Sequence, residues 1–61
     1  MENKIQELTD KIYREGIEKG NEEAQKLIAK AEAEAKQIVE DARKEAEAIV
    51  AAAQKSASEL S

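Results

Sequence analysis

The sequence predicts an all-α protein, a single long helix that forms a right-handed coiled coil. Large apolar residues recur every eleven positions over most of the chain, and small residues recur beside them at the same interval. The chain has no Pro, its two Gly lie close together, and the polar positions carry Glu, Lys and Gln, which are strong helix formers. Helix propensity and hydrophobic pattern therefore indicate the same structure.

Two columns of large residues define what we call the hydrophobic stripe. They are Ile17, Ile28, Val39 and Val50 in one column and Leu27, Ile38, Ile49 and Leu60 in the next. Two columns of small residues accompany them: Gly20, Ala31, Ala42 and Ala53, then Ala24, Ala35, Ala46 and Ala57. An isolated helix cannot bury such a stripe, and full burial of each large residue is worth roughly 1.5 to 3 kcal/mol. The stripe therefore predicts a helix–helix interface, with the small residues as positions of close packing.

The eleven-residue interval also predicts the handedness of the coiled coil. Eleven residues at about 100° each end about 20° beyond three full turns, so the stripe drifts in the right-handed sense. The drift is shallow, and paired helices should run nearly straight. Full helicity predicts a rod of up to roughly 90 Å.

The N-terminal segment has a stripe of its own in a different register. Ile5, Leu8 and Ile12 are spaced three and four residues apart, but Leu8 and Ile12 do not fit the eleven-residue columns. We therefore predict a short amphipathic N-terminal helix over residues 1–16 and a coiled-coil stalk segment over residues 17–61. Tyr13 falls in a column of small residues and is interpreted as a bulky interface or joint residue.

A joint is predicted where the register changes, near Gly16 to Asn21. Gly16 and Gly20 each cost on the order of 1 kcal/mol of helix stability relative to Ala. One interpretation is a break or hinge in the helix. The other is a segment that stays helical and allows a second backbone to approach closely.

The residue types argue against catalysis and against cofactor or metal binding. The chain has no His and no Cys, so it lacks the most common general base and the most common metal ligands. Its carboxylates are spread among Lys residues, and Ser56, Ser58 and Ser61 have no base that could activate them. We expect a non-catalytic segment without cofactor or metal.

Charge and hydropathy limit the partners. A net charge of -4 with only two Arg disfavours nucleic acid. No apolar run approaches the roughly 20 residues that span a bilayer, and the N-terminus does not resemble a signal peptide. We expect a cytoplasmic chain without direct membrane insertion. Because Met1 looks like a natural start and no stop signal precedes Ser61, we also expect the N-terminal piece of a longer protein.

The opening residues suggest a family. Ile5-Gln6-Glu7-Leu8, Lys11-Ile12-Tyr13 and Glu18-Lys19-Gly20, followed by repeats of Glu, Ala and Lys, resemble the N-terminus of the E-type stalk subunits of bacterial or archaeal V/A-type rotary ATPases. The resemblance implies a peripheral stalk, in which this helix pairs in parallel with a smaller stalk protein of the G or H type. Its N-terminal end would lie toward the membrane-side stator subunits, with Gly16 and Gly20 as a joint near them. The stalk would hold the catalytic head against rotary torque during ATP-coupled ion transport.

Other interpretations remain open. A generic coiled-coil spacer would carry the same repeat, and the isolated segment is expected to form homo-oligomers. A stalk subunit of the F-type b family is similar, although it normally begins with a membrane span. A lipid-bound surface helix would need more aromatic anchors and more Lys. A desiccation-protective chain would lack the large residues found here in every repeat.

Overall fold

The chain folds as one helix in the computed structural model, which describes residues 3–61. The helix, α1, spans Lys4–Leu60 and contains 57 residues. No strand occurs among the described residues. The prediction of an all-α chain with a single long helix is therefore confirmed, whereas Met1, the expected natural start, lies outside the described residues.

Asn3 caps the start of α1. Its side-chain Oδ1 accepts a hydrogen bond of 3.0 Å from the backbone N–H of Gln6, and its carbonyl accepts one of 3.0 Å from the N–H of Glu7. The side chain thereby satisfies one of the N–H groups that a helix leaves unpaired in its first turn. Glu7 also places a negative charge in that turn, which favours the positive end of the helix dipole.

The helix continues through the predicted joint, so the interpretation of a break near Gly16 to Asn21 is wrong. Gly16, Gly20 and Asn21 are all helical, and neither glycine has a positive φ. The cost of two glycines is local, and strong helix formers such as Glu18 and Lys19 separate them. A change of hydrophobic register does not require a break in the backbone. The boundary at residue 17 therefore stays a prediction that the hydrophobic register changes there, and it does not divide the helix.

Replacing both glycines with Ala should raise the helix content of the isolated chain. A Cβ at Gly16 or Gly20 would meet no heavy atom within 4 Å, so the change adds no clash. Each replacement should favour the helix by about 1 kcal/mol. Circular dichroism across a temperature range would measure the gain. The replacement Ala29→Gly is the control and should disfavour the helix by about 1 kcal/mol, the effect of one glycine.

The helix ends at Leu60 and has no core of its own. No residue from Asn3 to Ser61 is buried, and Glu40 alone among them is partly covered. In the last turn the Ser61 Oγ donates a hydrogen bond of 2.9 Å to the carbonyl of Ser58, and no basic residue lies there. Nothing within the described chain covers the apolar side chains.

Candidate helix–helix interface

In the N-terminal half of α1, up to Lys30, the stripe residues are open to solvent. Ile17 is 50% exposed, and Leu27 and Ile28 are 68% and 57% exposed. Because they extend from a regular helix, at about 100° per residue Ile17 and Ile28 fall within about 20° of each other. These three side chains can contact a partner without any rearrangement of the backbone.

The earlier stripe of the same half lies on a different face. Ile5, Leu8 and Ile12 are all exposed, and their mean direction is turned by roughly 130° from that of the stripe residues that follow. Tyr13 is exposed as well and falls on the side of the later stripe. A partner that follows one face would therefore cover only one of the two stripes in this half.

In the C-terminal half, from Ala31, the stripe is longer and more regular. Its large residues are Ile38, Val39, Ile49, Val50 and Leu60, and all of them are exposed. Ile38 and Val39 diverge by about 100°, and Ala42 and Ala46 fall between them on the helix surface. The alanines form a shallow floor between two rows of larger side chains. This shape can receive the apolar side chains of a second helix at close range.

Arg43 lies beside this stripe and is held by two carboxylates of its own helix. Its Nε and Nη2 donate to the Glu40 carboxylate at 3.0 and 2.6 Å, in a bidentate arrangement. Its Nη1 donates to Glu47, which completes a second ion pair. A guanidinium spaced three residues after one acid and four before another can reach both.

The Arg43–Glu40 contact changes the ionisation of both groups. The hydrogen bond from Arg43 lowers the pKa of Glu40, and the slight loss of hydration opposes that effect. The same hydrogen bond raises the pKa of Arg43. Because the carboxyl pKa is lowered, the pair supports the helix above the ordinary pKa of Glu and loses that support as the pH falls through the lowered value.

Replacing Arg43 with Gln should therefore return the pKa of Glu40 upward toward its ordinary value. Carbon-detected NMR titration of the Glu40 carboxyl would measure the change. Lys44→Gln is the matched control: it removes a positive charge four residues after Glu40, but no ion pair joins Lys44 and Glu40 in the described chain. An equal rise in both variants would show that general charge, and not the bidentate contact, sets the value.

The remaining charged contacts are weak and local. Besides the two pairs of Arg43, the described residues contain one ion pair, Lys11 with Glu15 at 4.0 Å. The i to i+4 spacing of Glu40 and Lys44 favours a pair between them, yet Glu40 bonds Arg43 instead. The planar guanidinium of Arg binds both oxygens of a carboxylate, whereas the ammonium of Lys does not form this bidentate contact. Spacing alone does not distinguish the two, so sequence reasoning missed this contact.

No other feature of the described chain suggests chemistry. A shallow open groove lies beside the stripe and is lined by Arg43, Ala46, Glu47, Val50, Ala51 and Gln54. Acidic residues of the described chain form no group of three that could hold a metal ion. Over the same residues, no helical stretch is both apolar and long enough to cross a membrane. The exposed stripe and its borders are therefore the candidate site.

Comparison with known proteins adds no identification. No family model, no curated protein and no solved structure matches the chain.

Proposed function

We propose that this chain is a structural component of the peripheral stalk of a V/A-type rotary ATPase, in the manner of the E-type stalk subunits. The observation that carries the proposal is the uninterrupted helix with an eleven-residue apolar repeat whose large residues are all exposed. Such a helix serves by pairing, because nothing in the described part of the chain covers its stripe. The partner is a stalk helix of the G or H type.

The mechanical role follows from the pairing. A stator must resist torque without catalysing anything, and two paired helices with a shallow right-handed drift meet that need. The small residues bring the helices close while burying little area, so pairing is weak per repeat and adds up along the helix. The segment works without a cofactor or a metal, in the cytoplasm beside a membrane complex.

The two glycines provide the most easily bent point. Gly16 and Gly20 are helical, and each weakens the helix relative to Ala. Bending there would let the N-terminal stripe of Ile5, Leu8 and Ile12 meet membrane-side stator subunits while the later stripe stays paired. In this proposal the two stripes serve two different partners.

A self-associating coiled-coil spacer is the second candidate function. The same exposed stripe favours it, because a second copy of the chain also offers an apolar face. An F-type b-like stalk segment is a variant of the first candidate with a different attachment. Only the choice of partner distinguishes these possibilities.

Sedimentation equilibrium tests the proposal directly. The chain is measured alone, then mixed in equal amounts with the short stalk-helix protein encoded in the same genome. A preferred one-to-one heterodimer is the expected result. Stable homo-oligomers that ignore the added helix would support the spacer instead.

A further inference from the structure

The two borders of the stripe differ in charge in the C-terminal half. At about 100° per residue, Glu34, Asp41 and Glu45 follow the side of Ile38 and Ile49, and we call them the acidic rim. The opposite side, next to Val39 and Val50, is the mixed rim: Glu32, Lys36, Arg43 and Glu47. The acidic rim has a formal charge of -3, from three acids and no base, whereas the two acids and two bases of the mixed rim cancel.

The contacts within the helix increase this difference. On the mixed rim, Arg43 is already bonded to Glu40 and Glu47. On the acidic rim, by contrast, none of the three carboxylates belongs to an ion pair of the described chain. Asp41 accepts a hydrogen bond of 2.8 Å from Gln37, which is neutral. The acidic rim therefore presents negative charge that the helix itself does not neutralise.

A second copy of the chain is a poor match for that rim. In an antiparallel pair of identical helices each rim faces its own equivalent, so acidic rim would meet acidic rim. In a parallel pair the acidic rim would meet the mixed rim, whose Arg43 is already held by two glutamates. Residues that border the stripe select partners through charge, and like charges facing each other disfavour pairing. Neither arrangement supplies a basic rim.

We propose that the C-terminal half of the stripe binds the helix of a different protein, one that presents Lys or Arg toward Glu34, Asp41 and Glu45. The proposal rests on the proposed function and adds the charge that its partner must carry. Apolar contact at Ile38, Val39, Ile49 and Val50 provides the affinity, and the negative charge of the acidic rim selects a partner with a basic rim. Self-association is the weaker alternative that the isolated chain adopts.

Variants of the chain can serve as partner helices of defined charge. A basic variant carries E32K, E34K, D41K, E45K and E47K, which makes both rims basic and removes any dependence on helix orientation. A neutral variant carries Gln at the same five positions, and an acidic variant carries K36E and R43E. Lys, Gln and Glu are similar helix formers, so each variant should keep the helix, which circular dichroism verifies.

The experiment measures how tightly each variant pairs with the fluorescently labelled natural chain, by sedimentation at low salt and in 1 M NaCl. We expect the basic variant to bind about tenfold more tightly than the neutral one at low salt. The acidic variant should bind most weakly. The preference should largely disappear in 1 M NaCl, where screening acts within about 3 Å.

Two other results would overturn the proposal, and they differ from each other. If all three variants bind equally at low salt, the stripe pairs without regard to charge, and the inference fails while the proposed pairing survives. If no variant pairs with the natural chain at any concentration up to millimolar, the inference fails, and the proposed stalk function fails with it if the stalk-helix protein does not pair with the natural chain either.

Discussion

Replacing Ile38 and Ile49 together with Asn should lower the affinity of the chain for its helical partner by at least about 100-fold. Both residues are exposed in the single helix and belong to the stripe. Full burial of two such side chains is worth roughly 3 to 6 kcal/mol, and about 1.4 kcal/mol corresponds to a factor of ten in affinity. Sedimentation of the variant alone and with the stalk-helix partner measures the loss.

The control for this prediction introduces the same residue on another face. Ala33→Asn with Ala48→Asn places two Asn away from the stripe and lowers helix propensity by more than the Ile replacements do. That variant should lose helix content but keep most of its affinity. Equal losses in the two double variants would mean that helicity, and not contact along the stripe, determines the association.

Inserting two Ala between Lys44 and Glu45 should abolish pairing beyond the insertion. The extra residues rotate everything that follows by about 200°, so Ile49, Val50 and Leu60 leave the face defined by Ile38 and Val39. Removing three large residues from the interface should weaken association by at least about 100-fold. The helix itself should remain intact, because Ala is the best helix former.

A longer insertion at the same point should reduce the affinity for the partner much less. A copy of residues 34–44 adds eleven residues and restores the register to within about 20°. Affinity should then equal or exceed that of the natural chain, since the copy adds another Ile and Val to the stripe. If the two-residue and eleven-residue insertions behave alike, the eleven-residue repeat does not define the interface.

The single helix was predictable because local and periodic signals agree along the chain. Ala, Glu and Lys, which favour the helix, occupy just over half of the positions, and Ile28, Val39 and Val50 recur at a fixed interval without an interrupting Pro. The stripe could be identified for the same reason. Its contact with a partner stays a prediction, since a pattern specifies a face but not what covers it.

Two features were not predictable in this way. Whether the helix continues through Gly16 and Gly20 depends on whether the helix preference of the flanking residues outweighs the cost of the two glycines. These free energies are similar in size, so propensity values do not decide between a continuous and a broken helix. The ion pair between Glu40 and Arg43 depends on side-chain geometry, because Lys44 lies at an equally favourable spacing from Glu40. Both are cases in which several arrangements of similar free energy compete.

The absence of any buried residue from Asn3 to Ser61 has a consequence for the life of the chain in a cell. A helix without tertiary contacts opens and closes at every turn, and each opening exposes peptide bonds to proteolysis. A copy without its partner should therefore be degraded quickly, whereas a paired copy is protected. Degradation of surplus copies would then match the amount of this chain to the amount of its partner, without any separate regulation of synthesis.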